Sequence, residues 1–246
     1  MKLMQMNQET PSENEYEVRD RRPMPPREWE VMRCLTGVLI KLGLTANAIS
    51  ALSVVFACLG GAATMATVSI TGVSQRLLWL VGALGIELRA LCNLLDGMVA
   101  VQTKTASPVG ELYNEVPDRF SDIAMLAGLG YAVGSSPTLG WAAAAVAVLV
   151  AYVRAQAAAS GAGQDYCGPM AKPVRMQLVA LTCLFYATLP NLASGPWDNT
   201  LIYVLTGGSK DFELSRMVLW IVILGGVLTV VRRLWRASFR LRKGAA

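Results

Sequence analysis

Six stretches of the chain are apolar for long enough to cross a bilayer: 46–69, 77–101, 112–133, 139–160, 176–192 and 214–231. About 30 Å of hydrocarbon takes roughly 20 helical residues. Backbone polar groups in lipid must be satisfied internally, which leaves helices or a closed barrel, and runs this continuously apolar exclude the barrel. The pattern therefore predicts an all-α integral membrane protein built as a six-transmembrane-helix bundle. Ahead of the first span the period changes. Val31, Leu35, Val38, Leu39 and Leu42 recur at helical spacing with Glu28, Arg33 and Lys41 elsewhere, which predicts an amphipathic helix over 28–43 lying in the membrane interface. Residues 1–27 are polar and aperiodic and read as a disordered cytoplasmic tail. Residues 44–235 then form one membrane domain, and 236–246 a basic tail.

Composition agrees with that division. Residues are 54% hydrophobic and 16% charged, and the mean hydropathy is +0.43, too apolar for an ordinary soluble domain. The cations sit in the flanks. Arg19, Arg21, Arg22, Arg27, Arg33 and Lys41 precede the first span, and Arg232, Arg233, Arg236, Arg240, Arg242 and Lys243 follow the last. The positive-inside rule then places both termini in the cytoplasm of a multi-pass protein of the inner, cytoplasmic membrane, with 93–122 and 163–175 on the same side. Anionic headgroups account for the net charge of +5 without nucleic acid. The five Cys show no CxxC spacing and there is no His, so neither a zinc site nor a disulfide framework is expected, and proton chemistry falls to carboxylates.

The segment "NLLDGMVAVQTKTASPVGELYNEVPDRFSD" over 93–122 breaks the economy of charge. At about 100° per residue, Arg89, Asn93, Asp96 and Ala100 share one face of the second span, and Glu111, Asn114, Asp118 and Asp122 one face of the third, with Glu115 on its edge. The short connection predicts antiparallel neighbours whose polar faces meet. Two readings are open: solvated helix ends, or a hard-oxygen site of the kind that suits Mg²⁺, Mn²⁺ or Ca²⁺.

The spacing resembles that of the CDP-alcohol phosphotransferases, bacterial type. Their frame is Asp, two residues, Asp-Gly, two residues, Ala-Arg, eight residues, Gly, three residues, Asp, three residues, Asp. The matching positions here are Asn93, Asp96-Gly97, Ala100-Val101, Gly110, Asn114 and Asp118. "GLTANAIS" over 43–50 resembles the family's Leu-Thr-Pro-Asn stretch, "AYVRAQA" over 151–157 its Tyr-x-Arg-Ala-Arg, and "GPMAKPVRM" over 168–176 the basic start of its fifth span. The resemblance implies transfer of a phosphatidyl group from a CDP-diacylglycerol-like lipid donor to the hydroxyl of a polyol or polyol phosphate, within the membrane lipids, with release of CMP. It implies Mg²⁺ or Mn²⁺ held by Asn93, Asp96, Asn114 and Asp118, with Asp118 as general base. Thr45, Asn47, Arg89, Gly97, Ala100 and Gly110 fall to the donor, and a homodimer is one assembly it allows.

Three positions depart from the frame. Asn93 and Asn114 replace Asp, keeping a carbonyl oxygen but no charge, and Val101 replaces Arg. They leave open a single ion in place of two, and a relative that binds CDP-lipid without turnover. Several of the named residues also have a plainer role open to them. Thr45 and Asn47 are helix-cap residues as well. Arg89 either meets phosphate or pairs with Glu87 or Asp118. Arg154, Lys172 and Arg175 either follow the positive-inside rule or hold an anionic acceptor, which would favour a phosphorylated one. A transporter with a carboxylate path is the non-enzymatic reading.

Overall fold

A computed structural model describes residues 25–189 and 213–244. Most of the expected N-terminal tail, the end of the fifth expected span and the connection to the sixth lie outside the described residues. Seven α-helices are described: α1 (Glu30–Lys41), α2 (Ala46–Ala66), α3 (Val73–Gln102), α4 (Pro108–Tyr131), α5 (Pro137–Ala159), α6 (Lys172–Thr188) and α7 (Leu214–Gly244). There is no strand among the described residues.

Local chemistry sets the helix ends. Gly43 takes a φ of +75° after α1, and Gly43 N–H and Leu44 N–H donate back to Ile40 O and Leu39 O, closing the helix in a Schellman turn. Two residues later Thr45 caps α2, its Oγ1 accepting from Ala48 N–H at 3.2 Å; the capping role open to Thr45 is thus realised. Ser107 caps α4 in the same way, from Gly110 N–H at 3.0 Å, with Pro108 at the first turn, where its missing N–H costs nothing. The 3-10 turn Pro25–Glu28 takes up the last residues assigned to the tail.

The six longer helices form a closed ring in the order α2, α3, α6, α7, α5, α4. Consecutive α3 and α4 are therefore not the close neighbours that their short connection suggests: each packs on α2 instead. Small residues make this possible. A Cβ on Gly61 would lie 2.4 Å from Ala124 O, and one on Gly85 2.8 Å from Gly60 Cα, so α2 meets both partners backbone to backbone. At one end the ring is filled by Met125, Leu126, Leu129, Val179, Cys183, Leu219 and Val222, with Trp79 stacked on Tyr186 at 4.6 Å. At the other end, α2, α4 and α6 begin and α3, α5 and α7 finish.

Outside, the ring shows Leu52, Val55, Leu59, Leu77, Leu84, Trp220, Leu224 and Leu228 exposed, a surface that only lipid accommodates. By length and composition α2, α3, α5 and α7 are apolar enough to cross a membrane. The charges at the start of α4 and the 17 residues of α6 keep those two outside that criterion, so four of the six expected spans meet it. α1 divides its apolar residues: Leu35, Leu39 and Ile40 pack towards α3, while Val31, Val38 and Leu42 remain exposed. α7 runs on through the basic segment expected to be a tail.

Candidate active site

At this end lies a cavity of about 770 Å³, walled by α2, α3, α4, α5 and α6. The thirteen residues that the resemblance and the charge pattern assign to metal, donor or acceptor all line it. Thr45 and Asn47 come from the start of α2, Arg89, Asn93, Asp96, Gly97 and Ala100 from α3, and Gly110, Asn114 and Asp118 from α4. Arg154 comes from α5, and Lys172 and Arg175 from α6. Helical spacing explains the convergence: each set recurs every three or four residues and so lies on one face of its helix.

Side chains, not backbone packing, join α3 to α4 across the cavity. Arg89 is 1% exposed, and its Nη2 donates to Asp118 Oδ1 at 3.2 Å and Asp122 Oδ1 at 2.8 Å. Asn93 Nδ2 donates to Asp118 Oδ1 at 2.9 Å. Lys172 reaches the other Asp118 oxygen, and Arg175 the other oxygen of Asp122. Of the two carboxylates open to Arg89 as partners, Asp118 is the one it meets; Glu87 accepts from Gln177 at 3.1 Å. Asp96 has different company: it accepts from Ser50 Oγ at 2.7 Å and from Gly97 N–H, and among the described residues no cation pairs with it. Arg154 pairs with Glu115 and lies over the Tyr166 ring at 5.4 Å. The three cations expected to form one patch are thus divided among three carboxylates.

The fit to a divalent pair follows from this donor set. A hard dication needs several anionic oxygens, yet positions 93 and 114 carry amides, and both Asp118 oxygens already accept from cationic or amide N–H groups. Among the described residues no three His, Cys, Asp or Glu side chains come together as a metal site. The residues do not fit the two-ion centre that the resemblance implies. Asn93 Oδ1 remains buried without a partner, an acceptor facing no protein donor.

Several lining residues carry no motif. Ser50 lies one turn beyond Asn47 on α2, and that helical spacing is its only signal in the sequence. Arg27 arrives from the 3-10 turn and Arg233 from α7. Gln164 and Tyr166 belong to the connection between α5 and α6, whose position is set by tertiary contacts. Arg233 donates to Cys167 O at 3.0 Å and Val150 O at 2.9 Å, and Met170 N–H donates to Thr229 Oγ1 at 3.0 Å. Arg236 meets Asp165 Oδ2 at 2.8 Å. Burial pushes the Asp165 carboxyl up, but the Cys167 N–H at 2.9 Å and Arg236 outweigh it and hold it below the ordinary carboxylate value.

No family model matches the chain, and no curated protein matches its sequence. Solved structures do share its fold. The phosphatidylinositol phosphate synthase of Mycobacterium tuberculosis with CDP-DAG bound superposes with a TM-score of 0.64 at 18% identity, over 85% of this chain and 94% of the synthase chain. The same synthase with manganese and citrate gives 0.63 at 19% identity, covering 84% and 88%. Its apo form gives 0.58 at 20%, covering 82% and 94%. At these identities the likeness is one of fold.

Proposed function

We propose that the chain is a CDP-alcohol phosphotransferase that moves a phosphatidyl group from a CDP-linked lipid such as CDP-diacylglycerol to the hydroxyl of a polyol or polyol phosphate. The observation that carries this is the placing of Asp96 and Asp118, in the family's spacing, on the facing walls of one pocket, within a fold shared with a synthase whose structure holds CDP-DAG. Gly97, Ala100 and Gly110 keep that pocket open to a nucleotide. Val101, Val109 and Tyr113 are exposed at its edge between α3 and α4, an apolar lip that suits acyl chains. In this reading α2 to α7 all cross the inner membrane, α1 lies in its interface, and both termini and the pocket face the cytoplasm.

The acceptor O–H gives its proton to the Asp118 carboxylate, and its oxygen forms a bond to the lipid-side phosphorus. The bond from that phosphorus to the bridging oxygen breaks, and the oxygen leaves with CMP. In this reading Asn47 and Asn93 take the cytidine and ribose, and Arg154 a phosphorylated acceptor. No step in this reading is routed through a divalent ion.

One observation favours a second reading. Asp118 already accepts from Arg89, Asn93 and Lys172, so both its oxygens are engaged before an acceptor arrives, which suits a relative that binds CDP-lipid without turnover. Release of CMP from CDP-diacylglycerol, measured across glycerol 3-phosphate, inositol phosphate, serine and choline, separates the two. The enzyme releases CMP with at least one acceptor, and Asp118→Asn lowers the rate about 10²–10⁴-fold, as loss of a general base does. Turnover in that variant within about tenfold of wild type overturns the base assignment. Donor binding with no CMP from any acceptor establishes the second reading, and absence of donor binding returns the chain to the transporter reading.

A further inference from the structure

The sign of the pocket's charge is the reverse of what a metal-centred phosphate site requires. Seven Arg and Lys side chains line it against three carboxylates, Asp96, Glu115 and Asp118. A site that borrows positive charge from divalent ions needs an excess of carboxylates to hold them; here the positive charge is covalently in place. A second, independent observation points the same way. Arg89 and Arg175, each 1% exposed, each keep a buried Nε with no acceptor. A buried charged N–H without a partner is costly, and an anion with several oxygens supplies what is missing.

We propose that Arg89, Arg175 and Lys172 hold the diphosphate of the CDP-lipid directly, so that donor binding does not depend on a divalent cation. The proposal rests on the reading of the pocket as a CDP-lipid site and specifies how that site is charged. Arg89 and Arg175 are clamped by Asp122, and Arg89 and Lys172 by Asp118. Those ion pairs fix the guanidinium and ammonium groups at the junction of α3, α4 and α6 before any ligand arrives. Asn93 and Asn114 belong to the same design: Asp at either place would draw these cations away from phosphate. Lys172 and Arg175, grouped by sequence with the acceptor, are reassigned to the donor, and Arg154 stays with the acceptor.

The test is CDP-diacylglycerol binding to the full chain in nanodiscs, titrated in EDTA and then in Mg²⁺ or Mn²⁺. The affinities in EDTA and in metal should agree within about threefold. Lys172→Gln should weaken donor binding about tenfold in both conditions, and Lys172→Arg should retain it. The double variant Asn93→Asp/Asn114→Asp, which alters no side-chain volume appreciably, should bind donor poorly in EDTA and recover with Mn²⁺. Mn²⁺ itself, followed by electron paramagnetic resonance without lipid, should bind this variant more tightly than wild type. Wild-type binding abolished by EDTA and restored by Mg²⁺ overturns the inference and leaves the proposed function standing. An unchanged Lys172→Gln affinity also overturns it, and no binding in either condition overturns both.

Discussion

The two ends of the helix ring are held by opposite means. At one end Gly60, Gly61 and Gly85 let α2 meet its neighbours backbone to backbone, and the space between helices is filled by Leu126, Leu129, Val179 and Leu219. At the other, beyond their short connection, α3 and α4 are joined by side chains, where Arg89 reaches Asp118 and Asp122 and Asn93 reaches Asp118. The first kind of contact is dispersive and insensitive to charge; the second is ionic and fails when one partner is removed. Apolar packing closes the ring at one end, and at the pocket end polar groups span from α3 to α4.

The largest expected effect lies in the ionic end. Asp122→Ala leaves Arg89 and Arg175 buried without their shared carboxylate, and losing one partner of a buried network costs about 3–5 kcal/mol. A clear fall in Tm in detergent should follow. The apolar triple variant Arg89→Met/Asp122→Leu/Arg175→Met should recover most of that stability, since well-packed apolar groups can replace a buried ionic set, while losing donor binding. If the triple variant melts as low as Asp122→Ala, the ion pairs are not the joint.

Next comes the apolar end. Gly61→Ala brings a Cβ to 2.4 Å from Ala124 O, against backbone that cannot give easily, and overpacking of this kind costs about 1–3 kcal/mol. The same change at Gly37, where nothing lies within 4 Å, should leave Tm unchanged or raise it slightly, because Gly is the weaker helix former. Equal losses at the two glycines would remove the distinction.

Much of this contrast is legible in the amino-acid sequence. Asp96 and Asp118 stand out because their spacing repeats along two helices, and the apolar runs locate α2, α3, α5 and α7. The separation of α3 from α4 is not legible. It depends on α2 fitting between them, and a single Gly pair carries no signal of which helix it will meet. Asp122 falls on the right face by helical arithmetic, but its clamp by Arg89 and Arg175 joins residues 33 and 53 positions away, beyond any local pattern. Gln164 and Tyr166 escape a sequence reading because a connection has no period, and its place is decided by Arg233 and Thr229 on α7.

Two smaller effects refine the ionic end. Arg154→Ala should raise KM for a phosphorylated acceptor about tenfold, in line with one charge-assisted hydrogen bond, and leave donor affinity unchanged. Equal weakening of donor and acceptor would place Arg154 with Arg89 instead. Asp165→Asn should lower stability by less than about 1 kcal/mol, the usual scale for a partly solvated ion pair. Because the folded Asp165 carboxyl titrates below its ordinary value, its contribution is present at neutral pH and is lost as pH falls through that folded value. The Tm difference between variant and wild type should therefore shrink in acid; a difference that grows there would contradict the Arg236 pairing.

The length of α7 acts as a ruler for the site. Its 31 residues measure about 46 Å at 1.5 Å each, against about 30 Å of hydrocarbon, so several turns must stand clear of the acyl region. Those turns carry Arg236 and Arg240, which grip Asp165 and hold Tyr166 against Arg154. The rim of the pocket is thereby tied to turns of α7 beyond the length that the hydrocarbon takes. On the proposed function, two substrates of opposite solubility would then have separate doors: a water-borne alcohol over the rim, and a lipid between the helices.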